Sequence, residues 1–331
     1  MIMYAKNLFS LAYFYKKQKS EESKKYFCHS RALIYSGLSC IGLFALSFPV
    51  YAEQDIKVPM DLSKWIYNGN QFECKLTHTE VAEGKFYFRA LPNNKLFFQI
   101  DLSNINKKFV SGELYYQAPP WAVNSSSVPL SSAKLDEKQS ARFLQGIDEL
   151  LLAMQTGHWI KLSLSGNKTS ASQALIIPTM QAADAISRFT RCRDNLPAMS
   201  YSEARDVVLS FAFGQRNLST AQTRRLKALT SYLKADKRVT RILIDGYTDS
   251  VGSTVSNLDI SRQRAELVAA ELKTLGVKPE MLEVRAHGAR YPLATNKTEQ
   301  GRAKNRRVTL RLVRDNESVV PAASTETVKV Q

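Results

Sequence analysis

The residues best placed to do chemistry in this 331-residue sequence lie between Asp245 and Val308. Asp249 falls in the turn segment Gly246-Tyr247-Thr248-Asp249-Ser250-Val251-Gly252, just after an apolar run, Arg241–Asp245, that reads as a strand. Arg264 falls near the start of a helix expected over Asp259–Leu275, with Asp259 or Ser261 as its cap. A cation at a helix N-terminus opposes the helix dipole at a cost of about 0.3–1 kcal/mol, so Arg262 and Arg264 would invite an anion there. A carboxylate and a guanidinium side by side suit a zwitterion. Asp249 takes an ammonium, and Arg264 with the helix N–H groups takes a carboxylate in a fork. The alternative is that Asp249 and Arg264 pair with each other.

Other chemistries lack their residues. Outside the first 52 residues the histidines are His78, His158 and His287, and none is spaced with Cys, Asp or Glu as a zinc site requires. His287, before Gly288, reads as a hydrogen-bonded turn residue. No nucleophile elbow, phosphate loop or dinucleotide fingerprint occurs, so the expectation is a protein that is not an enzyme and needs no cofactor. The chain carries 46 Lys and Arg against 30 Asp and Glu, a formal charge of +16. The basic run Arg302, Lys304, Arg306, Arg307, Arg311, Arg314 raises nucleic acid as a partner. Neither a helix-turn-helix nor an aromatic RNA-binding signature accompanies it.

Compartment argues against nucleic acid as well. Seven basic residues before position 32 precede the apolar stretch Ala32–Val50 and the small-residue site Val50-Tyr51-Ala52, the layout of a secretory signal cleaved after Ala52. A retained anchor is the alternative; a lipoprotein built on Cys40 is rejected, because the preceding Gly37-Leu38-Ser39 is out of register and apolar sequence continues beyond it. Without residues 1–52 the chain has 39 basic and 28 acidic residues, net +11, and two cysteines, Cys74 and Cys192. An even pair in an exported protein suggests a disulfide, with two buried free thiols as the alternative.

The positioning elements fall into two groups. From Gln71 to about Met180 the pattern is mostly strand, including a hairpin over Lys85–Ser103 turning at Pro92-Asn93-Asn94. Helical spacing over Ala141–Thr156 interrupts it, and Asn124–Ser132, rich in Ser, reads as a loop. A helix over Ala182–Arg193 carries Cys192, and a bond to Cys74 would close this half as a unit ending near Pro197. Beyond it the order is β-α-β-α-β-β, with strands at Val207–Phe213, Arg241–Asp245, Leu282–Ala286 and Val308–Val313, and a first helix opened by Ser219 or Thr220. The predicted class is α+β in two domains: a mainly antiparallel β domain with helices at 53–197, and helices on a mixed sheet at 198–315. A tail follows at 316–331.

The second domain resembles the OmpA-like peptidoglycan-binding family. The likeness rests on Thr248-Asp249-x-x-Gly252, Asn257-x-x-Ile260-Ser261-x-x-Arg264-Ala265, Gly288-x-x-x-Pro292, and Asn296-x-Thr298-x-x-Gly301-Arg302-x-x-Asn305-Arg306-Arg307-Val308. It covers about Val207–Val313 and departs at Ile260, where the family usually has Leu, a volume-conserving change. The resemblance implies that Asp249 and Arg264 are the ligand pair, and that Thr248, Asn257 and Asn305 shape or contact a wall peptide. Arg307 is expected as an ion-pair partner and Arg306 as a carboxylate contact; Gly246 and Gly252 are expected to form turns. The implied ligand is the meso-diaminopimelate of the cell-wall stem peptide, whose side chain ends in an ammonium and a carboxylate on one carbon.

The first domain is similar to the MotY family of periplasmic proteins from sodium-driven flagellar motors. The cues are Trp65 followed by Cys74 and His78, Ala118-Pro119-Pro120-Trp121, Leu150-Leu151 before Gly157, and Cys192 shortly before the wall-binding half. The similarity implies a periplasmic ring protein, multimeric around the basal body, whose partners are peptidoglycan, basal-body ring components and stator proteins. Trp121 is expected to be a core anchor beside a rigid turn. Two rival readings remain: a wall-linking envelope protein without a motility role, and a wall-targeted hydrolase.

Overall fold

The computed structural model describes residues 55–79, 81–103, 108–123, 126–166 and 172–317. The expected leader at 1–52 and the tail from Ser318 lie outside the described residues.

The chain opens with strands β1 (Ile56–Lys57), β2 (Lys64–Asn70), β3 (Glu73–Thr79), β4 (Gly84–Leu91), β5 (Lys95–Leu102), β6 (Ser111–Gln117), β7 (Ser127–Lys134) and β8 (Ser140–Phe143). Helix α1 (Ile147–Gln155), β9 (Trp159–Ser165), β10 (Gln173–Ile177) and α2 (Ala183–Asp194) complete this half. Two five-stranded sheets result, ordered β2-β3-β4-β5-β8 and β1-β10-β9-β6-β7. Every pairing is antiparallel except β1 with β10. The alternation that marks the hairpin buries Phe86, Phe88 and Ala90 from β4 and Phe98 and Ile100 from β5. These join Leu114, Phe143, Leu150, Ile160, Ile186 and Phe189 in one core.

Cys74 on β3 and Cys192 on α2 are joined by a disulfide, with Cα atoms 6.0 Å apart and a sequence separation of 118. Gly69 lies opposite Cys74 in the β2–β3 register. A Cβ on Gly69 would stand 2.9 Å from the Cys192 sulfur, so the bare backbone makes room for the bridge.

Two elements differ from the sequence expectation. Ser140–Phe143 is a strand and not the first turn of a helix, for Ala141 and Phe143 face the core while pairing with β5. Phe143, Ile147 and Leu150 mimic helical spacing across a strand–helix junction at Gly146. Asn124–Ser132 is expected as a loop, but Ser127–Lys134 pairs with β6 as an edge strand, where polar residues are tolerated because only one edge is bonded. Trp121 also departs from its expected place: it is 61% exposed, with its ring edge-on to the buried Trp159, centroids 5.6 Å apart. The Pro119-Pro120 turn carries it outward instead of burying it.

The second half follows with α3 (Tyr201–Ala204), β11 (Asp206–Ser210), α4 (Thr220–Ala235), β12 (Val239–Tyr247), α5 (Thr254–Thr274), β13 (Leu282–Ala286), α6 (Glu299–Asn305) and β14 (Arg307–Arg314). The sheet order is β11-β14-β12-β13. Strand β14 runs antiparallel to both neighbours, and β12 and β13 are parallel, as the crossover through α5 requires. Leu226, Leu229, Ile242, Ile244, Val268, Leu272, Leu310 and Leu312 form its own core. The two halves touch where Phe72 packs on Tyr232, centroids 5.7 Å apart, and where the Asn93 amide donates to the Pro197 carbonyl at 3.0 Å. Among the described residues no helix is long and apolar enough to cross a membrane.

Candidate functional site

The C-terminal end of β12 and the first half of α5 build one pocket. Helix α5 begins at Thr254, capped by the Ser253 hydroxyl, which accepts from the Ser256 amide at 3.2 Å. This is five residues earlier than the Asp259 expected from sequence, and neither Asp259 nor Ser261 caps it. Arg264 therefore sits in the third turn, away from the dipole's positive end, and the expected helix-terminus anion site does not form. Arg262 faces solvent. The buried face of α5 runs Asn257, Ser261, Arg264, Ala265, Val268, Leu272, at regular helical spacing. Its first three members are polar, so hydrophobic periodicity could not reveal the early turns.

Close packing sets the pocket floor. A Cβ on Gly246 would lie 2.0 Å from the Ser261 carbonyl oxygen, so this glycine lets α5 press onto β12 and is not a turn residue as expected. Gly252, with φ of 96°, is the turn former. The Thr248 amide donates to the Gly288 carbonyl at 2.8 Å, and the Gly288 amide donates to the Ser261 hydroxyl at 3.0 Å.

Asp249 is buried, and its partner is Arg306. Arg306 Nη1 donates to Asp249 Oδ2 at 2.8 Å, while the Val251 amide donates to Oδ1 at 3.1 Å. The remaining nitrogens of Arg306 are also engaged: Nη2 with Glu299 at 2.8 Å and Nε with the Phe211 carbonyl at 3.3 Å. Burial works against the charge on Arg306, but its bonds to Asp249 and Glu299 outweigh that and raise its pKa above the usual guanidinium value. Arg307, expected as the ion-pair partner, has no carboxylate within reach among the described residues. It packs 3.8 Å over the Tyr247 ring and donates to the carbonyls of Asn305 and Tyr291. Arg306 lies at the junction of α6 and β14 and turns to Asp249, while Arg307, the first residue of β14, turns to Tyr247.

Arg264 is the exceptional group. It is 5% exposed, yet no carboxylate among the described residues lies within ion-pair distance. Nη2 reaches only the Ala212 carbonyl at 3.3 Å, the guanidinium carbon stands 5.2 Å from the Phe211 ring centre, and Nε has no partner. Burial, then the like charge of Arg306, lowers its pKa, with Asp249 acting in the opposite sense. The buried Thr248 hydroxyl is likewise without a partner. Arg264 and Thr248 line a pocket of about 170 Å³ that they share with Asp249, Asn257 and Arg306. That is smaller than the roughly 300–1,000 Å³ of sites for drug-sized ligands, and suits a small polar headgroup.

Asn305 is not at the pocket wall. Its Oδ1 accepts from the Leu293 and Ala294 amides at 2.8 and 3.0 Å, and its Nδ2 donates to the Ala294 carbonyl and Asn296 Oδ1 at 2.8 and 2.9 Å. All its capacity goes to the 293–296 loop, and through Asn296 to the Ser250 amide. It shapes the site from behind. His287 bonds to Asp245 at 2.7 Å and stacks on Tyr247, outside the pocket. Sequence reasoning missed the β11–α4 loop, where Phe213 and Arg216 form the outer pocket wall. The only cue was Phe211-x-Phe213-Gly214 following a strand.

A buried acid–guanidinium centre at the meeting of a mixed sheet and its crossover helix defines a ligand-binding α+β domain, joined here to a two-sheet β domain. Residues 210–306 match the OmpA family and residues 57–197 match the MotY N-terminal domain. The chain therefore carries a domain of the MotY N-terminal type followed by a domain of the OmpA family. It is 24% identical over 288 residues to the sodium-type flagellar protein MotY of Vibrio parahaemolyticus, covering 85% of this chain and 98% of that one. Peptidoglycan-binding protein ArfA of Mycobacterium bovis is 43% identical over 101 residues, 29% of this chain and 30% of that protein. The crystal structure of the peptidoglycan-associated lipoprotein from Burkholderia pseudomallei is 30% identical, covers 35% of this chain and 99% of its own, and has a TM-score of 0.32.

Proposed function

We propose that the chain is a periplasmic structural protein of the flagellar motor that holds peptidoglycan without covalent chemistry. The observation that carries this reading is Arg264: a buried guanidinium lacking a counter-charge is costly unless a ligand supplies one. The carboxylate of a diaminopimelate side chain answers Arg264. The ammonium on the same carbon answers Asp249, whose two oxygens each keep acceptor capacity beyond Arg306 and the Val251 amide. Thr248 and Asn257 offer further polar contacts in the pocket.

The match to the MotY N-terminal domain supports a role for the other end. That end associates with the basal-body ring, and the wall-binding domain fixes that ring to a covalent mesh so that stator units have a place to react against. Weak single contacts suffice where many copies in a ring act together. The match over 57–197 favours this over a general envelope linker, and the flagellar name of the full-length relative supports it.

The test has two arms. Purified protein should pellet with diaminopimelate-type sacculi, and Asp249→Ala and Arg264→Ala should stay in the supernatant while remaining folded. A deletion strain should lose swimming and regain it with wild type but not with Arg264→Ala. Normal swimming of the deletion strain, or pelleting by both variants, defeats the proposal. Release of soluble fragments from sacculi on long incubation would replace it with a hydrolase.

A further inference from the structure

The pocket's charges do not balance, and the imbalance bears on which wall peptide it prefers. Three guanidinium groups line it, from Arg216, Arg264 and Arg306, against the single carboxylate of Asp249. Arg306 is already neutralised, by Asp249 at 2.8 Å and by Glu299 at 2.8 Å. Arg264 has no ion-pair partner among the described residues, and neither has Arg216, which stands exposed on the β11–α4 loop at the pocket's rim. Two cations thus face the space where a ligand sits, and Asp249 is the one lining carboxylate that can still accept from it. A ligand with one carboxylate and one ammonium answers Arg264 and Asp249 and leaves Arg216 without a counter-charge.

We propose that Arg216 is a specificity-determining residue that takes a second carboxylate, the main-chain carboxylate of diaminopimelate, so that the pocket selects stem peptides ending at that residue. This rests on the pocket reading given above. A stem tripeptide carries two carboxylates and one ammonium on its terminal diaminopimelate, matching Arg264, Arg216 and Asp249 one to one. Extension by D-alanine turns the main-chain carboxylate into an amide and moves the chain's terminal charge outward by about 3.5 Å. Amidation removes the charge at constant size. Because Arg216 is exposed, its contact is screened by solvent and the discrimination is modest.

Isothermal titration of the purified chain with three synthetic peptides decides it: L-Ala-γ-D-Glu-meso-diaminopimelate, its main-chain amide, and its D-alanine-extended form. Wild type should bind the free tripeptide about five- to tenfold more tightly than either of the others, the gap narrowing at high salt. In Arg216→Gln the ratio should fall to about one, and in Arg216→Lys part of it should return. Equal affinities in wild type, or a preference that Arg216→Gln leaves intact, overturn the proposal. Sacculus pelleting by Arg264→Ala separates the two layers of the argument. If that variant fails to pellet and wild type shows no preference, only the role of Arg216 falls. If it pellets like wild type, the pocket reading falls and takes this inference with it.

Discussion

Arg306, and not Arg264, holds the Asp249 carboxylate, at 2.8 Å, and Arg264 is left with no carboxylate partner among the described residues. The direct Asp249–Arg264 pair that the sequence allowed is not what the fold builds. One arginine fixes the acid in place, and a second waits for a counter-charge at the cost of its own solvation.

That cost predicts a separation of stability from binding. Replacing Arg264 by Met keeps the apolar stem against Phe211 and removes an unpaired buried cation. The melting temperature of the C-terminal domain should hold or rise, by about 4–8 °C for each kcal/mol recovered, while sacculus pelleting is lost. A melting point several degrees below wild type would mean that Arg264 supports the fold instead.

The reverse holds for Arg306. Arg306→Ala leaves Asp249 buried without its partner and should destabilise the domain by about 3–5 kcal/mol in urea unfolding. Adding Asp249→Asn should recover part of that loss, since the stranded charge goes with it. No recovery in the double variant would show that Arg306 acts mainly through Glu299 and the Phe211 carbonyl.

The Cys74–Cys192 bridge closes a loop of more than a hundred residues, and on the chain-entropy view its removal costs about 4–5 kcal/mol. Denatured, unreduced protein should show no reactive thiol from these two positions. The double substitution Cys74→Ser with Cys192→Ser should lower the melting transition of the β-rich domain and leave that of the C-terminal domain in place. A matching fall in both would place the bridge's influence across the domain junction.

His78 supplies a pH dependence. It is 3% exposed, lies edge-on to Trp65 with ring centres 5.0 Å apart, and bonds through Nε2 to the Ser63 hydroxyl at 2.9 Å. Ser63 itself donates to the Pro178 carbonyl, so Nε2 carries the hydrogen and Nδ1 is a buried acceptor without a partner. Burial lowers its pKa from 6.5 to about 4, against a weaker opposing effect from the Thr79 backbone. The unfolded chain therefore takes up a proton first as pH falls. The stability His78 confers is complete above 6.5 and declines between 6.5 and about 4, by an amount on the order of 3 kcal/mol. Urea unfolding at pH 7 and pH 5 should show this slope in wild type and a flatter one in His78→Gln. Equal slopes would assign the effect to carboxylates.

What was legible in the sequence was whatever a short-range pattern could encode. The hairpin over Lys85–Ser103 alternates large apolar residues with polar ones, and its turn at Asn93 and Asn94 has positive φ at both positions. Both helices flanking β12 were visible from their apolar faces, but the first turns of α5 were not, because Asn257 and Ser261 occupy the buried positions that apolar residues fill elsewhere. Site residues were legible only through motif spacing, and spacing does not say which of Arg306 and Arg307 turns inward. That depends on the register of β14 against β12, where Tyr247 lies opposite Arg307. Asn305 reads like a contact residue because it sits beside such residues in sequence, yet four hydrogen bonds commit it to a neighbouring loop.

The sulfur bridge between β3 and α2 also has a mechanical meaning. Helix α2 ends three residues before Pro197, where the OmpA-family half follows, so tension carried along the chain between the two halves reaches this helix. Without the bridge, tension would peel α2 from the sheet one contact after another. With it, the strain passes through a covalent bond into β3, an inner strand paired on both sides, which must then be sheared across two ladders at once. The thiol pair converts a seam that would unzip into a joint that resists a sustained tug.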